Sequence, residues 1–223
     1  MKVVLFGATG MVGEGVLIEC LEDPAVESVL VIGRKSCGRT HAKMREVLRA
    51  DFFDWPDAGE LFLGLDACFF CLGVSAAEVS EADYHRLTYD LTLAAARAIA
   101  AESPGLTFCY VSGEGTDSTE RGRMMWARVK GKTENALLAM FSRAFMFSPG
   151  YIHPMKGVRS PRRLYRAFHV VIRRVWPLVR RAFVTHVATP ENMGLAMLRV
   201  ARSGYAKRVL ENEDINRLGA GAL

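Results

Sequence analysis

At 223 residues, half of them hydrophobic and about a quarter charged, the chain has the balance of one well-buried domain with a small appendage and not of a disordered protein. No uninterrupted apolar run approaches the roughly 20 residues of a membrane span, the N-terminus meets glycine too early for a secretory signal, and the expected home is the cytoplasm. The net charge of +5 is unevenly placed: from Asn135 to Pro190 there are ten cations and no acid, an asymmetry that favours an anionic partner such as a phosphorylated cofactor, an acidic substrate, a membrane surface or nucleic acid.

In chain order, Lys2 to Phe6 is a short apolar run stopped by Gly7 and reads as a buried parallel strand. Val12 to Leu21 has helical spacing, with Pro24 marking the exit. Ser28 to Ile32 predicts a second strand closed by Gly33, and Arg45 to Ala50 a weaker third. Ala67 to Leu72 is the fourth, and it carries Cys68 and Cys71. In a strand, positions three apart face opposite sides, so these two thiols do not form a metal or disulfide pair. With Cys20, Cys37 and Cys109 they make an odd, scattered set of reduced thiols. Ala82 to Ala101 reads as a long helix stopped near Pro104, Leu106 to Val111 as a fifth strand, Met124 to Ser142 as a second long helix and Ala144 to Phe147 as a sixth strand. Beyond Tyr151 a basic amphipathic stretch from Ser160 to Phe183 precedes a helix from Pro190 to Arg202, with Thr189 as its N-cap, and a short strand from Lys207 to Glu211.

Strands alternating with helices over short connections predict an α/β, Rossmann-type, doubly wound parallel sheet. We expect one domain over residues 1–223, with 151–223 mainly a small substrate-side subdomain lying over the strand ends.

Gly7-x-x-Gly10-x-x-Gly13 follows the first strand directly and opens a helix, with Thr9, Met11 and Val12 between the glycines. That context gives the spacing a physical meaning. The first glycine permits the tight turn, the second lets a pyrophosphate approach the backbone, and the third lets helix and strand pack closely. The helix N-terminus then offers N–H groups and a positive dipole end to the phosphates. At the end of the second strand, where an acidic residue would hold the ribose hydroxyls of NAD, stand Arg34 and Lys35. Two cations there suit the extra phosphate of NADP(H), which is favoured over NAD(H).

With the glycine turn, Asp51-Phe52 after the third strand, Leu72-Gly73 after the fourth, Ser112 after the fifth, Pro149-Gly150-Tyr151-Ile152 after the sixth and Gly194 to Met197 in the late helix, the chain resembles the short-chain dehydrogenase/reductase superfamily. The likeness is to its atypical, truncated members of the NAD-dependent epimerase/dehydratase-like kind. The resemblance implies that Asp51 bonds the adenine amino group with Phe52 beside the ring, and that Leu72 and Gly73 line the adenosine ribose. It also implies that Ser112 polarises a substrate carbonyl, that Lys130 binds the nicotinamide ribose, and that Pro149, Tyr151 and Ile152 flank the nicotinamide. Ser112 would equally serve as a strand-end cap.

One departure stands out. The family's Tyr-x-x-x-Lys, whose phenol passes a proton, reads Trp126-Ala127-Arg128-Val129-Lys130 here. An indole N–H donates a hydrogen bond but cannot act as an acid or base near neutral pH. Three readings follow. Tyr151, Tyr110, Tyr84, His85 or His153 supplies the proton; or the reaction needs only hydride transfer and polarisation; or the chain binds NADP(H) without turnover, as a sensor.

The expected function is an NADP(H)-dependent oxidoreductase acting on a small carbonyl or alcohol. A regulatory NADP(H)-binding protein and an epimerase/dehydratase are the alternatives. The arginine pairs of 160–183 read as a lid or interface helix, with peripheral membrane contact as the lesser reading. Charge alone does not make a nucleic-acid partner, and none is expected.

Overall fold

The computed structural model describes residues 1–153 and 187–221. Seven strands form one sheet in the order β3-β2-β1-β4-β5-β6-β9, all parallel. They are β1 (Lys2–Phe6), β2 (Ser28–Gly33), β3 (Met44–Leu48), β4 (Ala67–Phe70), β5 (Thr107–Val111), β6 (Ala144–Ser148) and β9 (Val209–Glu211). The helices are α1 (Met11–Glu22), α2 (Ala58–Phe62), α3 (Glu81–His85), α4 (Leu91–Glu102), α5 (Met125–Met140), α6 (Pro190–Ser203) and α7 (Asn212–Gly219). A separate two-stranded pair joins β7 (Tyr151–Ile152) to β8 (Val187–Ala188). The strand order reverses between β1 and β4, which makes the crevice outside their carboxyl ends the expected ligand position.

The apolar runs of the strands are explained by burial on both faces. Val3, Leu5, Val29 and Val31 face one core with Val16 and Leu17 of α1 and Met193 and Met197 of α6. Val4, Phe6, Cys68, Phe70 and Phe108 face the other with Leu91 and Ile99 of α4 and Leu137 of α5. Cys68 and Cys71 fall on opposite sides, as strand geometry requires, and all five cysteines are free thiols. Burial pushes the Cys71 thiol up to about 12 and holds Cys68 well above the ordinary thiol range.

Some bounds and elements differ from those expected. The third strand spans Met44–Leu48, shifted from 45–50. The helix expected over 82–101 runs from Glu81 to Glu102 and contains a wide π-type turn at Arg86–Asp90, between α3 and α4, that was not expected. The short α2 and the β7–β8 pair, which lack a full period of either pattern, were not anticipated. Of residues 151–223, the described part joins the layers of the main sheet. β9 extends the main sheet by pairing with β6, and α6 packs on α1, where Gly15 and Gly194 permit close approach. A Cβ at Gly15 would lie 2.3 Å from the Pro190 Cβ, and one at Gly194 2.7 Å from the Glu19 side chain. Thr189 does cap α6, its hydroxyl accepting from the Asn192 N–H at 3.1 Å. The basic stretch 160–183, with its lid and membrane readings, lies outside the described residues. No helix among the described residues is long and apolar enough to cross a membrane.

Candidate functional site

The glycine turn is built as its spacing requires. Gly7 sits at φ +86°, and a Cβ there would lie 2.7 Å from the Cys71 backbone on β4's exit. A Cβ on Gly13 would lie 2.2 Å from the Gly7 carbonyl, so the start of α1 rests directly on the turn. Gly10 is the N-cap of α1, donates to the Gly7 carbonyl at 2.9 Å, and accepts from the Glu14 N–H at 2.8 Å. A Cβ on Gly10 would meet only the Gly7 oxygen, at 3.4 Å, so its outer side is an open cradle at a helix N-terminus. Met11 and Val12 open the helix, and Val12 turns its side chain to the core.

Two adjoining cavities flank this turn. The first, about 230 Å³, is lined by Gly7, Thr9, Gly10, Arg34, Phe52, Leu72 and Gly73, with Ala50, Phe53, Cys71, Val74, Leu87 and Leu91 completing its wall. The second, about 560 Å³, shares Gly7, Thr9, Arg34 and Leu72 and adds the turn Gly33-Arg34-Lys35-Ser36-Cys37. No acidic residue lines either cavity among the described residues, and neither Arg34 nor Lys35 has a carboxylate partner there. Arg39, further along the same loop, is held by Glu14 at 2.7 Å. The Cys37 N–H donates to the Glu46 carboxylate at 2.7 Å, which fixes the turn carrying both free cations.

Not every residue expected in the cleft faces it. Phe52 is 2% exposed, and its ring stands edge-on to Phe6 and Trp55, so it is a wall continuous with the core. The Asp51 carboxylate accepts from the Phe53 N–H at 2.7 Å through one oxygen, in a local turn beside the cavity, and is not among its lining residues. Pro149, Tyr151 and Ile152 sit at the exit of β6, where the Pro149 carbonyl accepts from the Glu114 N–H at 2.9 Å and Ile152 packs on the α1-side core. Phe53, Leu87 and Leu91 were missed. The first stacks under the Arg86 guanidinium at 4.8 Å, and the other two reach the cleft only because the π-type turn and α4 are folded across it.

At the other end, α5 brings Lys130 against the end of β5. Its ammonium donates to the carbonyls of Ser112 (2.5 Å) and Val111 (3.3 Å). Burial pushes Lys130 down to about 8, with the Glu134 charge pulling the other way. Ser112 is 7% exposed, and its hydroxyl lies within reach of the Phe147 carbonyl at 3.2 Å and of the Glu134 carboxylate. Trp126, one turn before Lys130, is half-buried and lays its ring against Gly115, whose Cβ position is 3.5 Å from the indole Cη2. The arrangement thus gathers Ser112, Lys130 and Glu134 but turns the serine and lysine toward the protein's own groups. Tyr84 and Tyr110 are enclosed in the core, and burial raises both phenols. His85 is on the outer surface between Asp90 (3.4 Å) and Lys132 (3.2 Å).

No protein-family model matches the chain. Among curated proteins it is similar to protein fmp52, mitochondrial, of Emericella nidulans, 28% identical over 167 residues covering 72% of this chain and 70% of that one. It is also similar to protein fmp52-2, mitochondrial, of Aspergillus terreus, 24% identical over 221 residues covering 96% and 95%. These names overturn the expected cytoplasmic home. That expectation rested on reduced thiols and on the lack of a secretory signal, and neither separates the cytoplasm from another reducing compartment. Among solved structures, the chain superposes on a glucuronic acid dehydrogenase from Chromohalobacter salexigens with a TM-score of 0.67 at 14% identity, covering 94% of this chain and 75% of that one. It superposes on a UDP-glucuronic acid 4-epimerase from Bacillus cereus, solved in complex with NAD, with a TM-score of 0.66 at 13% identity, covering 95% and 76%. An oxidoreductase of the short-chain dehydrogenase/reductase family from Burkholderia thailandensis gives 0.66 at 14% identity, covering 99% and 93%. Over nearly its whole described length, the chain therefore has the Rossmann fold shared by these dehydrogenases, reductases and nucleotide-sugar epimerases.

Proposed function

We propose that the chain binds NADP(H) along the cleft outside β1, β2 and β4 and acts as an oxidoreductase on a small carbonyl or alcohol. The observation that carries the reading is the open cradle at Gly10 between two cavities that hold two unpaired cations and no acid among the described residues. The residues fit the group. Gly10 leaves room for a pyrophosphate at the start of α1, and Phe52, Leu72, Leu87 and Leu91 give the adenine an apolar slot. Arg34 and Lys35 stand ready for a ribose phosphate. Bound there, a nicotinamide dinucleotide supplies hydride chemistry. The chain's own part is to hold the phosphates, to fix the cations through the Cys37–Glu46 bond, and to keep Lys130 at the end of β5.

Titration calorimetry is expected to show NADPH bound at least tenfold more tightly than NADH. Arg34→Ala should remove most of that margin, since a hydrogen bond to a charged group is worth roughly 1.5–3 kcal/mol and each decade of affinity about 1.4 kcal/mol. Equal affinities in the unmodified protein would overturn the choice of cofactor.

A second reading, NADP(H) binding without brisk turnover, is favoured by a specific observation. Trp126 replaces the expected phenol while Ser112 and Lys130 are both bonded inward. The Trp126 variant described in the Discussion separates the two.

A further inference from the structure

We propose that a third cavity, at the carboxyl ends of β5, β6 and β9, is a binding site for a small organic cation bearing a primary ammonium group. It has a volume of about 320 Å³ and is lined on its polar side by Glu114, Glu134, Ser148, Glu211, Asn212 and Glu213. Its lining among the described residues contains no lysine, arginine or histidine.

Acidic side chains at a sheet edge need not make a site, and two of these have another reason to be present. Glu211 caps α7, accepting from the Asp214 N–H, and Glu213 stands in the first turn of that helix, where negative charge offsets the dipole. Glu134 caps no helix, and although its charge acts on Lys130, it receives no hydrogen bond from that ammonium. It is 4% exposed, in the middle of α5, and its Oε1 has no hydrogen-bond partner among the described residues, while the neighbouring Ser112 hydroxyl donates to the Phe147 carbonyl. A buried carboxylate oxygen left without a donor is destabilising, so a group that fills this gap is bound with a corresponding gain. Lys130 cannot fill it, because its ammonium is bonded to the Val111 and Ser112 carbonyls.

The missing partner must donate a hydrogen bond, and the surrounding charge selects its sign. Glu114 also lines the cavity, close enough to Gly150 that a Cβ there would sit 2.2 Å from its Oε2. With Glu211 and Glu213 alongside, a neutral hydroxyl would satisfy the oxygen but not the field, and an anion would be repelled. An ammonium satisfies both. The carboxylates do not converge as metal ligands, since no three acidic, histidine or cysteine groups among the described residues could hold a metal ion. An organic cation, which spreads its contacts over the cavity and rests its carbon chain on Val209, fits better. This inference does not rest on the dinucleotide reading. It extends it, because the cavity begins two residues beyond Ser112 and would make a cationic carbonyl compound the preferred substrate.

The test is a titration without dinucleotide. Backbone amide shifts of Gly115, Thr116 and Asn212 are followed by NMR as n-butylamine is added, with n-butanol and butyrate as matched neutral and anionic probes. Saturable shifts are expected for the amine at concentrations at least tenfold below any seen for the alcohol, and none for butyrate. Glu134→Gln, which keeps the shape and the Ser112 contact, is expected to weaken amine binding about tenfold with the melting temperature preserved. Should that variant not fold, the double change Glu114→Gln, Glu213→Gln is expected to weaken binding by the same factor. Alcohol bound as well as amine, no saturable shift for the amine, or amine binding unchanged in the folded variant would each overturn the proposal.

Discussion

A valine at position 10 is expected to remove dinucleotide binding while leaving the protein folded, whereas a valine at position 13 is expected to damage the fold itself. Both glycines belong to one motif, but the structure gives them different surroundings. The Gly10 backbone is at φ −87° and ψ 160°, a region open to any residue, including β-branched ones. Its Cβ would touch one oxygen at 3.4 Å. The added methyl groups then occupy the cradle where phosphate must meet the start of α1. The expected loss of NADPH affinity is on the order of a hundredfold or more, about 3 kcal/mol. At Gly13 the Cβ would fall 2.2 Å from the Gly7 carbonyl, so α1 must move away from β1. Overpacking of that kind costs typically 1–3 kcal/mol or more, which for a domain of this size lowers the melting temperature by roughly 2–4 °C per kcal/mol. Gly7 belongs with Gly13, since its φ of +86° adds backbone strain to a contact of 2.7 Å. Thermal unfolding and calorimetry on the three valine variants provide the comparison. A folded Gly10→Val that still binds NADPH would place the dinucleotide elsewhere in the molecule.

The parts of this molecule legible in its sequence are those fixed by short-range rules. Strands buried on both faces announce themselves as unbroken apolar runs, and the Gly7 to Gly13 spacing carries its own geometry because strand, turn and helix are contiguous. The adenine-side wall was only half legible. Phe52 and Leu72 directly follow strands, but Leu87 and Leu91 enter the cleft because a π-type turn reorients α4, which no periodicity reveals. Asp51 shows the reverse case. Its position beside the cavity is as expected, yet an N–H two residues on claims its carboxylate. Glu134 was within reach of the sequence, since it lies one turn beyond Lys130 on the same helix face as Trp126. What the sequence could not show is that Ser112 and Lys130 both bond to backbone carbonyls, or that one Glu134 oxygen is left without a donor. The packing partner of α6 was not legible for a related reason. A helix with a buried stripe of Met193, Ala196, Met197 and Val200 needs a core face, and only the assembled sheet shows that the face is α1's.

Trp126→Tyr is expected to raise carbonyl reductase activity from a weak native level by roughly 10²–10⁴-fold, the usual worth of general acid catalysis. Trp126 and Lys130 are four apart on α5 and therefore share a face. A phenol at 126 would stand one turn from an ammonium that burial has already brought down to about 8, and a nearby positive charge favours the phenolate. The shorter side chain also withdraws from Gly115, where the indole now rests, and opens space toward the end of β5. Space and proton supply must be told apart, and Trp126→Phe does so by giving nearly the same room with no ionisable group. The measurement is NADPH oxidation against a panel of small aldehydes and ketones, amine-bearing members included, for the native protein and both variants. Activity in the tyrosine variant alone identifies a reductase scaffold that lacks its acid. Equal gains in tyrosine and phenylalanine variants would assign the effect to room in the pocket. Brisk native turnover without improvement would move the proton donor to another group, with Tyr151→Phe and His153→Ala the next variants to measure. NADPH binding by all three proteins with no turnover by any would give the site to the sensor reading.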